Sequence, residues 1–269
     1  MNNTPSTAVQ IPENLDLRNM VFSEDGPSDI HKKIINRPLN LVSSYRSVDL
    51  LLGITDIIPP PPLNDSAETF LEVTDIARLL HNFDPSKLVI PLDYKDPVID
   101  IPELFKEYSE STYSVVDFEE ARKLTEDAET ITLQVQHYFN RPSLGTIAQH
   151  YSIPLVNNFE GVRPSNTPSY PCTESVQIGL LSLWLAQQVL RTPAYREDML
   201  RFTLTITRRI MRRGHHFYSD VTAALPLAMA LFSITPFYSK ARILKNTAVR
   251  QAAKKKKEIS DTIDPETTP

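Results

Sequence analysis

The stretch from Cys172 to Leu190 constrains the fold most. Ile178, Leu180, Leu181, Leu183, Trp184 and Leu185 place apolar side chains nearly all the way round a helix opening at Cys172 or Thr173. Such a helix has no face to offer water and must be enclosed by other elements. The segments around it carry amphipathic helical patterns that could enclose it. Phe70, Val73, Ile76, Leu79 and Leu80 mark one face of a helix begun by Asp65-Ser66-Ala67-Glu68 and ended by Asp84-Pro85. Leu124, Ala128, Ile131, Val135 and Tyr138 mark a second, running from Asp117 to about Asn140, with acids early and Arg141 at its end. Leu144 to Tyr151 predicts a short helix. Pro193 to about Arg213 predicts a long one, with Met199, Leu200, Phe202, Leu204 and Ile206 inward. Tyr218 to Ser233 predicts an apolar one kinked at Pro226. Six glycines against 22 prolines suit helices with Pro-punctuated links rather than tight hairpins. The expected fold is an all-α helical bundle.

The rest of the chain divides around that bundle. Residues 1–64 are expected to be an arm and linker. Its first 37 residues are polar and aperiodic, partly disordered or laid on a partner; after them come a short helix over Val48–Leu52 and a stiff spacer at Pro59-Pro60-Pro61-Pro62. Residues 65–235 form the helical domain, with its motif-bearing core over 117–235. Residues 236–269 read as a basic helix ending in Lys254–Lys257 and a frayed tail. Between the first two long helices, 87–102 reads as loop or extended chain and Ile101 to Tyr108 as a short helix.

Composition narrows the function. A net charge of −5 argues against a general nucleic-acid binder. The one cysteine excludes an internal disulfide framework. The apolar tracts Ile178–Ala186 and Ala223–Ile234 are too short or too interrupted to span a bilayer. The first 19 residues carry no basic start followed by an apolar core, so no secretory signal is expected. The expected location is the cytoplasm, with association with a virus particle left open.

The chemistry-bearing residues fall in three places. Gly214-His215-His216-Phe217-Tyr218-Ser219-Asp220 follows the cluster Arg208, Arg209, Arg212 and Arg213. Residues four apart share a helical face, so Asp220 is expected to hold one ring nitrogen of His216 and leave the other nucleophilic. Guanidinium groups nearby would favour an oxyanion, above all phosphate. Upstream, Gln134 precedes Arg141-Pro142 by two helical turns. Thr167-Pro168-Ser169-Tyr170-Pro171-Cys172-Thr173-Glu174-Ser175 leads into the apolar helix, whose N-terminus attracts anions. Each place also has an ordinary structural meaning: an Arg at a helix end, a first-turn acid, a solvated basic helix end.

In order and layout the three together resemble the type 2 phosphatidic acid phosphatase and vanadium haloperoxidase superfamily, nearest its soluble class A acid phosphatase-like members. The family pattern is K-x6-RP, then PSGH, then SR-x5-H-x3-D. The resemblance covers about Glu119 to Leu231, under half the chain. It implies the helical bundle of that family, with His216 as nucleophile and Asp220 orienting it. Arg141 and Arg209, with Arg208 as a further candidate, would bind the phosphoryl group. Gln134 stands where the family has Lys, Cys172 and Thr173 where it has Ser and Gly, and Glu174 where it has the His that protonates the leaving group. Ile210 stands at the spacing of the family's last Arg, with Arg209 one residue before it. Cys172 is read as a substitution, since Ile178 stands where a cysteine phosphatase loop needs Arg.

Three functions are therefore carried forward. The first is a weakened phosphomonoesterase acting on a small phosphorylated substrate through phospho-His216, with Glu174 as acid. The second is a non-catalytic binding or structural protein. The third is a haloperoxidase, the only reading with a cofactor, vanadate. No metal site is expected, and self-association is left open.

Overall fold

The computed structural model describes residues 15–82, 101, 103, 118–155, 167–189, 193–212 and 214–235, with backbone alone at 15, 16, 187–189, 193–200, 209 and 212. Helices account for most of the described residues, and no strand occurs among them. The fold is an all-α bundle. In chain order the helices are α1 (Leu15–Asn19), α2 (Asp29–Ile35), α3 (Ser44–Leu52), α4 (Ile54–Ile57), α5 (Ala67–His81), α6 (Phe118–Phe139), α7 (Leu144–His150), α8 (Thr173–Val189), α9 (Pro193–Arg212) and α10 (Tyr218–Ile234). No helix among the described residues is long and apolar enough to cross a membrane. The expectations beyond Thr235, and those between 83 and 117 apart from Ile101 and Glu103, lie outside the described residues.

α8 is the enclosed helix its composition demands. It packs on α6, α9 and α10, and Val176, Leu180 and Leu181 are fully buried, with Trp184 almost so. Each such aliphatic side chain contributes roughly 1.5–3 kcal/mol on leaving water. Gly179 lets α10 approach closely: a Cβ there would sit 3.1 Å from the Cβ of Ala228. Pro226 lies inside α10 without ending it.

The apolar stripes hold with two corrections. On α6, Leu124, Ala128, Ile131 and Val135 are fully buried, but Tyr138 is exposed. Phe139 takes the inward place instead and meets Tyr170 edge-on. On α9, Phe202, Ile206 and Ile210 are buried at intervals of four, which turns Leu204 outward. Met199 and Leu200 lie among residues whose side chains are not described.

The N-terminal stretch, expected as an aperiodic arm, is helical over much of its length from Leu15 onward and lies on this chain's own bundle. Leu17 and Ile58 are fully buried, and Val42, Leu50 and Ile54 nearly so. Polar contacts that hydrophobic periodicity does not report fasten it to α6. The fully buried Asp127 carboxylate accepts from the backbone N–H groups of Asn40 (2.7 Å), Leu41 (2.6 Å) and Val42 (2.8 Å). Arg37 donates to Thr130 Oγ1 and Glu129, and to the carbonyl of Glu126. His31 Nδ1 and His137 Nε2 are 3.0 Å apart. At the end of α6, Asn140 adopts a left-handed backbone, with φ of +51°. Its carbonyl accepts from Phe22 N–H and its side-chain amide donates to the Ser23 carbonyl at 2.8 Å.

Two apolar cores result. The larger joins α3, α4, α6, α8, α9 and α10. The smaller joins α1, α5 and α7 with Met211 and Phe217. Tyr170 and Cys172 belong to the first and Phe217 to the second, and the candidate site lies along the seam between them.

Candidate active site

Four short pieces of chain build the site. α9 ends and the chain turns at Gly214, whose φ is +69°. That backbone favours glycine, and an added Cβ would lie 2.7 Å from Leu80 Cδ1 and push that side chain aside. The turn delivers His216 just ahead of α10, with Phe217 as the residue capping that helix. The left-handed Asn140 redirects the chain off α6 and places Arg141 beneath α10. The loop 167–172, with a cis Tyr170-Pro171 bond, leads Cys172 to the start of α8. α5 supplies Glu72 from the opposite side.

His216 is 5% exposed. Its Nδ1 lies 3.1 Å from the Ser169 carbonyl, so that nitrogen carries the hydrogen and donates. Asp220 Oδ2 is farther from it, at 3.5 Å. The direct Asp220–His216 bond expected from helical spacing is thus replaced by a longer approach. His216 precedes α10 rather than lying on it, and Oδ2 accepts instead from the Phe217 N–H at 2.9 Å. The other oxygen of Asp220 accepts from Arg141 at 2.7 Å.

Arg141 is almost wholly buried and committed on several sides. It donates to Ser219 Oγ at 2.7 Å and approaches Glu72 Oε2 and Thr69 Oγ1 at 3.5 Å, with its guanidinium carbon 3.7 Å above the centre of the Phe217 ring. Its Nε has no hydrogen-bond partner. Glu72 also accepts from the Ser219 backbone at 2.6 Å and hydroxyl at 2.8 Å, closing the N-terminus of α10 with a carboxylate of the protein. Burial pushes Glu72 above the ordinary carboxyl range, against the opposing pull of Ser219 and Arg141.

Glu174 reaches Nε2 of His216 from the first turn of α8, with its Oε2 3.4 Å away. Burial favours its neutral form, but the hydrogen bond and charge of His216 outweigh that and draw the carboxyl down to about 2. Burial would lower His216 in turn, yet Cys172, Asp220 and Glu174 together draw it well above the ordinary imidazole value. Both shifts run toward an ionised Glu174 and a protonated His216, away from the roles of leaving-group acid and neutral nucleophile. Cys172 is fully buried, with Sγ 3.4 Å from Glu174 Oε2 and accepting from Ser175 Oγ at 3.2 Å. Burial pushes its thiol upward.

The remaining sequence candidates divide. Thr173 borders the site, its hydroxyl accepting from Gln136, whose amide also donates to the Pro171 carbonyl. Gln134 donates to the Ile35 carbonyl, away from His216, and so fastens α2. Arg208 is exposed on α9, while Ile210 points into the core. The side chain of Arg209 lies outside the described ones.

Sequence reasoning missed Glu72, Ser219 and Ser169. Ser169 acts through its carbonyl, which no side-chain motif reports. Glu72 shares a helical turn with buried Thr69 and Val73, and a carboxylate bordering an apolar stripe was the signal for it.

Among the described side chains, three acids (Glu72, Glu174, Asp220) face Arg141 and His216. Positions where an external anion would gain hydrogen bonds are taken by the protein's own acids.

No family model matches the chain, and no curated protein matches it. Among solved structures it is similar to the first transmembrane PAP2-type phosphatidylglycerolphosphate phosphatase from Bacillus subtilis. The identity is 13%, over 78% of this chain and 91% of that one, with a TM-score of 0.35. That likeness is too loose to carry the chemistry of the site.

Proposed function

We propose that this chain is a degenerate relative of the acid phosphatase and haloperoxidase superfamily that works as a binding or structural protein rather than by phosphoryl transfer. One observation carries the reading: the Glu174 carboxyl oxygen lies 3.4 Å from Nε2 of His216, where a phosphoryl group would have to arrive. A carboxylate there repels the substrate and favours the protonated imidazole, whose nitrogen has no free pair to attack with. Arg141, the cation expected to grip phosphate, is committed to Asp220 and Ser219 instead. The membership itself is supported by convergence: Arg141, Glu174, His216 and Asp220, scattered along the sequence, fall in one buried cluster.

The test is hydrolysis of an aryl phosphate across the acid-to-neutral range by wild type, His216→Ala and Glu174→His. Wild type and His216→Ala are expected to be equally inactive. Glu174→His, which restores a leaving-group acid and removes the repelling charge, is the variant in which turnover can appear. An oriented proton donor is worth ~10²–10⁴-fold in rate.

A second reading has one observation in its favour. The Ser169 carbonyl takes the Nδ1 hydrogen of His216 and leaves Nε2 as the nitrogen that could attack, as a phosphohistidine enzyme requires. Wild-type turnover abolished by His216→Ala would establish that reading and overturn the first.

A further inference from the structure

Cys172, Glu174 and His216 bring three different donor atoms to one point. Glu174 Oε2 lies 3.4 Å from Cys172 Sγ and 3.4 Å from His216 Nε2, and the three ligand atoms all fall within 4.8 Å of one another. The His–Glu spacing is long for the ion pair it would otherwise be, since a charge-assisted N–H···O bond closes to about 2.7–2.9 Å. It suits the edge of a coordination shell. Bonds of about 2.0–2.2 Å to N and O and about 2.3 Å to S, spread at tetrahedral angles, separate N from O by roughly 3.4 Å and S from O by roughly 3.6 Å. We propose that Cys172, Glu174 and His216 form a three-ligand site for a borderline-soft divalent ion, zinc above all.

The surroundings are those a metal site needs. A ligating histidine donates its other ring N–H to a carbonyl or carboxylate, which fixes the ring and turns the lone pair to the metal. His216 Nδ1 does this toward the Ser169 carbonyl at 3.1 Å. Ser175 Oγ donates to the sulfur at 3.2 Å, and the Cys172 N–H is held by the Asp220 carbonyl at 3.0 Å. Thiolate, carboxylate and neutral imidazole balance a dication, so the completed cluster carries no net charge among largely buried groups. The Glu174 side chain is 31% exposed and gives the ion its way in. Mixed sulfur, nitrogen and oxygen donors favour zinc and its neighbours over magnesium or calcium, which take oxygen. Three protein ligands leave a fourth position for water or another small donor.

The proposal rests on the reading that His216 is not a phosphoryl nucleophile, because a metal on Nε2 uses the pair that phosphorylation needs. The two fail separately. Full-length protein, stripped with a chelator under reducing conditions, is reconstituted with cobalt(II) or zinc(II) and freed of excess by gel filtration. Cys172 is the one cysteine in the chain, so a thiolate-to-cobalt charge-transfer band in the wild type assigns the sulfur ligand without any variant. The expected result is one ion per chain by elemental analysis, that band, and a zinc-dependent rise in Tm, with band and rise both lost in Cys172→Ser. Wild type that retains no ion, or holds cobalt without the band, overturns the site. A cobalt band together with phosphatase turnover that His216→Ala abolishes in the metal-free protein upholds the site and overturns the non-hydrolytic reading.

Discussion

Two buried polar clusters lie along α6 and differ in how their charges are used. In its first half, Asp127 has no exposed surface and spends both oxygens on three backbone N–H groups of residues 40–42, at 2.6–2.8 Å. Just past its end, Arg141, Asp220, His216, Glu174 and Glu72 hold an excess of carboxylates, a donor without a partner and contacts as long as 3.4–3.5 Å. The first cluster is saturated, and nothing from outside could improve it. The second is crowded but unfinished, and buried groups left in that state are where chemistry or a ligand belongs.

Breaking the saturated cluster should have the largest effect. Asp127→Ala leaves three backbone donors without their acceptor and is expected to cost about 3–5 kcal/mol by urea denaturation. A loss under about 1 kcal/mol would show that water replaces the carboxylate and that this end is not a structural staple. Arg141→Met is next, at about 3 kcal/mol, because Asp220 and Glu72 lose their shared cation. Here the clusters should part company: adding Glu72→Gln to Arg141→Met is expected to recover part of the loss by removing one of two repelling charges. No recovery would mean that the acid excess does not weaken the site.

The smallest effect concerns the imidazole pair on the α2–α6 seam. Burial lowers His31, and burial with the charge of His31 lowers His137, below the ordinary 6.5. The unfolded chain therefore binds more protons. Stability is present above 6.5 and is lost as pH falls through the folded values. The Tm should drop on mild acidification, and His137→Gln should flatten that drop. An unchanged slope in the variant would place the acid sensitivity elsewhere.

The helices of the bundle were legible because their apolar spacing is a local property. The start of α5 at Asp65-Ser66 and the limits of α8 could both be read from neighbours in sequence. Asp127 was not legible, since its partners are main-chain groups about 85 residues away. The same blindness made residues 15–37 look like a loose arm and hid how the stretch up to Ile58, beyond the helix read over Val48–Leu52, is fastened by Asp127, Arg37 and buried Leu17 and Ile58. At the site, the motif residues could be picked out but their protonation could not. That depends on how near Glu174 comes to His216, and spacing alone does not fix a distance between separate helices.

Asn140 joins the N-terminal stretch at Phe22 and Ser23 to the charged cluster that begins at Arg141. Its left-handed backbone aims Arg141 at Asp220, and its amide reads the main chain at Ser23. Glycine could supply the first property and would forfeit the second. A β-branched residue would forfeit both. Change in the N-terminal stretch and change in the charged cluster therefore cannot drift independently: one position carries the requirements of each, and few side chains meet them together.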